Sequence, residues 1–199
     1  MVLSSIASND HSADERMPII RAGTAACRRY GPSKTTVADI ARLLGKSPAS
    51  LYRIFPSRAE IWDAIAADFY ESHLCFEPSS AGDLSRATDQ LKETMLGLHR
   101  LLLQAQQGDP QMYRLIVLAA SSNWPSYRQY RNRLQGLVGE LIRAGIGAKE
   151  YRRTHTRAAA SCLCASLAVL WDPRFSATPP NHCEISAQKL VSFVIDALR

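Results

Sequence analysis

Between Thr36 and Phe55 the chain carries two helix starts and one tight turn within 20 residues, and few folds accept that arrangement. Thr36-Val37-Ala38-Asp39 has the form of a capping box, in which a hydroxyl and a carboxylate satisfy free N–H groups at a helix start. Val37, Ile40, Ala41 and Leu44 then share one face at helical spacing. Gly45 stands where a residue of positive φ lets the chain turn sharply. Ser47-Pro48 reads as an N-cap followed by proline at the first helical position. Ile54-Phe55 closes that helix, and Pro56-Ser57, with Glu60, starts the next through a second capping box. A short helix presented by a tight turn is the shape that enters the major groove of DNA.

The 3.6-residue period continues along the whole chain, without convincing period-two alternation, so the expected fold class is all-α with about nine helices. Residues 1–13 are polar and are expected to form a disordered arm. The first helix is expected from Asp14 or Glu15, with acids in its first turn and Pro18 tolerated near that start. Ile19, Ala22, Ala26 and Tyr30 follow at helical spacing until Gly31-Pro32. Beyond the helix from Ser57 to near Cys75, turn signals bound further helices at about 83–106, 110–122, 125–145, 155–171 and 183–198. A loop is expected over 173–180. The organisation is therefore an arm over 1–13, a helix-turn-helix domain over 14–60 with its motif at about 36–55, and a helical domain over 61–199.

Charge and cysteine usage narrow the partners. The net charge is +6, and residues 1–60 hold nine Lys or Arg against five Asp or Glu, so basic charge is denser where phosphates would be met. Five scattered cysteines fit a reducing compartment better than a disulfide framework. No secretory leader pattern opens the chain, and the longest apolar-leaning run, 158–171, is short of the roughly 20 residues a membrane span needs. A cytoplasmic location without membrane attachment is expected. No metal site is expected. Cys162 and Cys164 point to different sides of a helix, as do His73 and Cys75, and His182-Cys183 lacks partners at recognised spacing. The absence of a phosphate-cradling glycine loop, a nucleophile elbow or paired carboxylates argues against an enzyme and against a cofactor.

Ile19-Ile20-Arg21-Ala22, Gly31, Thr35 to Ala41, Gly45, Ser47 and Leu51 to Arg58 together resemble the tetracycline-repressor (TetR) family, over about residues 14–65. The resemblance implies a transcriptional regulator that binds double-stranded, pseudo-palindromic operator DNA. Thr36, Tyr52 and Arg58 would grip phosphates, with Lys46 in the turn adding charge. Ser47, Pro48, Ala49 and Ser50 would face the bases, and Arg53 would assist. Pro48 and Ala49 replace the family's commoner Lys-Gly, and neither side chain donates a hydrogen bond. DNA shape and deformability would then carry more of the specificity. Ile54 and Cys27 also depart from the family's usual residues, which implies a repacked small core.

In the C-terminal domain the small residues Ala158 to Cys162, Ala165 and Ala168, with the apolar stripe Ala187, Leu190, Val191, Val194 and Leu198, suit a four-helix packing between two subunits. The resemblance implies that homodimer through the last two helices. It also implies a ligand cavity in the intervening helices, for which the candidates are Phe69, His73, Phe76, Met95, His99, Met112, Tyr113, Ile116, Trp124, Tyr127 and Tyr130. A lining so rich in aromatic residues and Met suits a small, largely lipophilic effector that releases a repressor from DNA. An architectural or partner-regulated DNA-binding protein without such an effector is the alternative reading, and a small helical enzyme a remote one.

Overall fold

A computed structural model of the chain describes residues 4–75, 86–176 and 186–199, with side chains described over 15–75, 86–175 and 186–199. Among the described residues there are eleven helices and no strand. They are α1 (Ser4–Tyr30), α2 (Val37–Leu43), α3 (Pro48–Tyr52), α4 (Arg58–His73), α5 (Ala87–Gly108) and α6 (Pro110–Ser121). After them come α7 (Pro125–Gly147), α8 (Thr156–Ser166), α9 (Ala168–Trp171), α10 (Pro173–Ser176) and α11 (Ala187–Asp196). The all-α class is as expected; eleven helices replace about nine.

Two differences account for most of the change at the helix ends. The backbone of α1 is helical from Ser4, where a disordered arm over 1–13 was expected. No glycine or proline interrupts the chain between Ser4 and Met17, so Asp14 and Glu15 lie within the helix, and so does Pro18. The second difference is the segment 155–171, expected as one helix. The Trp171 indole Nε1 donates to the Cys164 carbonyl at 2.8 Å, the acceptor that a continuous helix would give to the Ala168 N–H. The helix breaks at Leu167, and Pro173, which holds Asp172 extended at ψ 119°, opens α10 inside the expected loop.

The head is built from α1, α2, α3 and the start of α4 around Ile19, Ala26, Cys27, Ile40, Leu51 and Phe55, all buried. Burying one such large apolar side chain contributes about 1.5–3 kcal/mol. Gly23 sets the separation of α1 from α4, because a Cβ there would meet Ile65 Cδ1 at 2.4 Å. The body gathers α5, α6 and α7 around Leu91, Met95, Leu102, Leu115, Ile116, Val138 and Ile142. α8 packs on α7, and α11 packs on α5. α4 belongs to both parts: it packs on α1 in the head and on α6 and α7 in the body. The expected division at residue 60 therefore falls within one continuous helix. No described helix is long and apolar enough to cross a membrane.

Candidate DNA-binding head and ligand cavity

The local signals of the motif become geometry. Thr36 Oγ1 accepts from the Asp39 N–H at 3.2 Å, and Asp39 Oδ2 accepts from the Thr36 N–H at 3.0 Å, closing the box. The Thr36 hydroxyl donates to the same carboxylate at 2.6 Å. Those bonds hold the Asp39 carboxyl below its ordinary pKa, with Arg42 at 3.1 Å adding a smaller effect. Thr36 thus has its hydroxyl proton engaged, so any phosphate must compete with Asp39 or use backbone N–H groups. Gly45 turns the chain at φ 61°. Ser47 caps α3 by accepting from the Ser50 N–H at 3.2 Å, and the two hydroxyls lie 2.9 Å apart.

The surface left open by this packing is the one expected to meet DNA. Lys46, Ser47, Pro48, Ala49, Tyr52 and Arg53 are exposed, and Ser50 is half-buried. Tyr52 is the informative case. A core aromatic would be hidden, whereas Tyr52 is 44% exposed while its neighbour Leu51 is fully buried. Arg58 differs from the rest. Its guanidinium donates to the Thr35 carbonyl at 3.2 Å and lies 4.6 Å over the Trp62 ring. Trp62 Nε1 in turn donates to the Pro32 carbonyl at 3.2 Å. The first turns of α4 therefore fix the loop between α1 and α2, and Arg58 is part of that clasp.

In the body, a cavity of about 170 Å³ lies between α4, α5 and α7. α4 contributes Tyr70, followed just beyond its end by Leu74 and Cys75, and α5 contributes Leu98. From α7 come Tyr130, Leu134 and Leu137 at helical spacing, with Arg133 between them. A second, more open groove of about 730 Å³ runs from Phe69 and His73 on α4 to Asp109 and Pro110 at the start of α6, with Arg28 on its edge.

The expected cavity residues do not gather into one lining. Tyr130 lines the smaller cavity; Phe69 and His73, their rings stacked at 4.3 Å, line the groove. Met95, Met112 and Ile116 are fully buried in the core. Tyr113 and Tyr127 are buried with their hydroxyls committed to the Pro173 carbonyl at 2.9 Å and the Asp172 carboxylate at 2.7 Å. His99 and Trp124 are half-buried and line neither space. Phe76 lies outside the described residues. In the lining of the smaller cavity Tyr70, Leu74, Cys75, Leu98, Arg133, Leu134 and Leu137 were not anticipated. Arg133 is a polar residue within an apolar stripe, and the stripe itself was the available signal.

An exposed short helix behind a glycine turn, on a helical body with a cavity, defines a helix-turn-helix DNA-binding regulator. The comparisons agree. The family model described as "Bacterial regulatory proteins, tetR family" matches residues 19–65, and "Tetracyclin repressor-like, C-terminal domain" matches residues 87–187. The chain belongs to the TetR family of regulators. It is 31% identical over 99 residues to the HTH-type transcriptional regulator TtgR of Pseudomonas putida, a stretch that takes in 49% of this chain and only 43% of that protein. The fold resembles ligand-free RolR with a TM-score of 0.64 at 14% identity, covering 92% of this chain and 89% of that one. A TetR-family protein of Mesorhizobium loti is similar with a TM-score of 0.61 at 19% identity, over 94% and 96% of the two chains. At those identities the likeness is one of fold.

Proposed function

We propose that this chain is a sequence-specific, DNA-binding repressor that acts in the cytoplasm as a homodimer and leaves its operator when a small, largely lipophilic ligand binds the body. The observation that carries the reading is the continuity of α4. Its first turns clasp the loop of the DNA-binding head through Arg58 and Trp62, and its last turn supplies Tyr70 to the cavity. A helix of this length spans about 24 Å, so a shift at one end is felt at the other. RolR, which shares the fold, has been solved with resorcinol, and TtgR is a transcriptional regulator. Lys46, Ser50, Tyr52 and Arg53 meet the DNA in this reading, with α8 and α11 forming the subunit interface. Phe193 on α11, an apolar residue 78% exposed, is a natural contact for a second copy.

The test is selection of bound duplexes from random DNA, followed by mobility shift at several salt concentrations. A pseudo-palindromic site and a steep salt dependence are expected; failure to enrich any sequence would sink the proposal. The full burial of Met95, Met112 and Ile116 favours a second reading, a regulator with a filled core that answers to a protein partner. A thermal-shift panel of small apolar molecules separates the two, since only the first predicts stabilisation.

A further inference from the structure

The effector's chemical class follows from the cavity, granted the ligand-responsive reading above. We infer that the cavity between α4, α5 and α7 takes a single-ring aromatic carboxylate, with Arg133 as the group that recognises its charge.

Size comes first. The cavity holds about 170 Å³. A cavity of roughly 150 Å³ lined by apolar side chains accommodates one benzene ring, so one ring with a small substituent fits. The walls select for a flat apolar body. Tyr70 and Tyr130 stack at 4.7 Å with an interplanar angle of 16°. Their hydroxyls already donate to the Ile116 and Trp171 carbonyls, each at 3.1 Å. The tyrosines therefore offer ring surface rather than hydrogen-bond donors, and Leu98, Leu134 and Leu137 complete an apolar wall.

Charge comes second. Among the described residues, Arg133 is the one charged side chain in the lining. Its Nη2 lies 3.3 Å from Glu71 Oε1, and both side chains are about half exposed. An ion pair in that position is weak, because water screens it. A ligand carboxylate arriving with its ring in the cavity exchanges for Glu71 and presents two oxygens to a planar, forked donor. Glu71 is then a competitor for the site.

The competition gives two charge-removing variants with opposite effects. Binding of benzoate, benzyl alcohol and hexanoate to the full chain is measured by calorimetry, with circular dichroism checking each variant's fold. Saturable benzoate binding is expected, weakened on the order of tenfold in Arg133→Gln, the loss of one charge-assisted contact. Glu71→Gln should tighten benzoate several-fold. Benzyl alcohol should respond to neither variant, and Leu137→Phe, which fills the cavity, should abolish both aromatic ligands. The inference is overturned if benzoate does not bind, if hexanoate binds as well as benzoate, or if Arg133→Gln and Glu71→Gln move benzoate in the same direction. Mobility shift on the selected operator keeps the two readings apart. Operator binding without benzoate binding sinks this inference alone, and benzoate binding without any specific duplex sinks the repressor reading alone.

Discussion

Arg28, near the end of α1, holds Asp109 at the start of α6 through an Nε–Oδ2 contact of 2.6 Å, joining the DNA-binding head to the body. The other oxygen of Asp109 accepts from the Met112 N–H at 3.3 Å and caps α6. One carboxylate thus serves both a helix end and the junction between two functional parts.

The two halves of that arrangement should separate by mutation. Arg28 is half exposed, so Arg28→Gln is expected to cost less than about 1 kcal/mol of stability. Asp109→Ala removes the cap as well and should cost about 1 kcal/mol more. In mobility shift, Arg28→Gln should keep operator affinity within a few-fold while blunting the release caused by effector, since coupling between sites is typically about 1–3 kcal/mol. An effector response identical to the unmodified protein would show that the Arg28–Asp109 pair carries none of the signal.

The exposed residues of the head make a cleaner set of DNA-binding probes than Arg58. Tyr52→Phe and Lys46→Ala remove groups that no partner in the head depends on, so melting temperature should be unchanged. Each should weaken all duplexes alike, and Lys46→Ala should lower the salt slope by about one. Arg58→Ala differs, because it also breaks the bond to the Thr35 carbonyl and the stacking on Trp62. It should lower DNA affinity and melting temperature together. Ser50→Ala should cost about 1–3 kcal/mol at a single base position, which a panel of single-base operator variants would read directly.

Local signals were legible in the sequence; long-range ones were not. The capping box at Thr36, the turn at Gly45 and the Ser47-Pro48 start each depend on residues within four positions, and each stands where expected. The break at Leu167 depends on an indole reaching back seven residues, which no helical periodicity records. Cavity wall and core have the same sequence signature, an apolar stripe. Met112 and Tyr130 therefore looked alike, although only Tyr130 lines the cavity. Arg133 was hidden for the opposite reason: a charge on a helix usually marks its solvated face.

A second carboxylate gives a prediction that depends on pH. Glu150 accepts from the Ala87 and Thr88 N–H groups at 3.0 Å and from the Thr88 hydroxyl at 2.6 Å, capping α5 across more than 60 residues of chain. These bonds, that from the Thr88 hydroxyl above all, hold the Glu150 carboxyl below its ordinary range. A depressed folded pKa means that the stabilisation is complete above the unfolded value of about 4.3 and is lost as pH falls through the lower folded value. Glu150→Gln should therefore cost about 1–2 kcal/mol at neutral pH. Melting curves of the two proteins should converge in acid; a gap independent of pH would mean that shape, and not charge, makes the cap.

Asp172 tests the opposite end of the pH scale through Tyr127. The Asp172 carboxylate is buried and accepts from the Tyr127 hydroxyl at 2.7 Å, from the Arg174 N–H at 3.0 Å, and from the Arg174 guanidinium at 2.5 Å. Burial, and then the bond to Asp172, push the Tyr127 hydroxyl up to about 12. Because its folded pKa is raised, the advantage of Tyr127 over phenylalanine is complete below the unfolded value of about 10 and is lost as pH rises towards the folded one. Tyr127→Phe leaves Arg174 on the carboxylate and should cost about 1 kcal/mol at neutral pH. Asp172→Ala removes the acceptor of the Tyr127 hydroxyl, which keeps only the bond it accepts from Arg174 Nη2 at 3.0 Å, and leaves Arg174 able to reach water. Its cost should be about 2–3 kcal/mol, below that of breaking a fully buried pair. Denaturant unfolding of the three proteins at neutral pH and near pH 11 checks both parts. An unmodified protein whose lead over Tyr127→Phe persisted undiminished in alkali would show that Tyr127 is not held protonated by the fold.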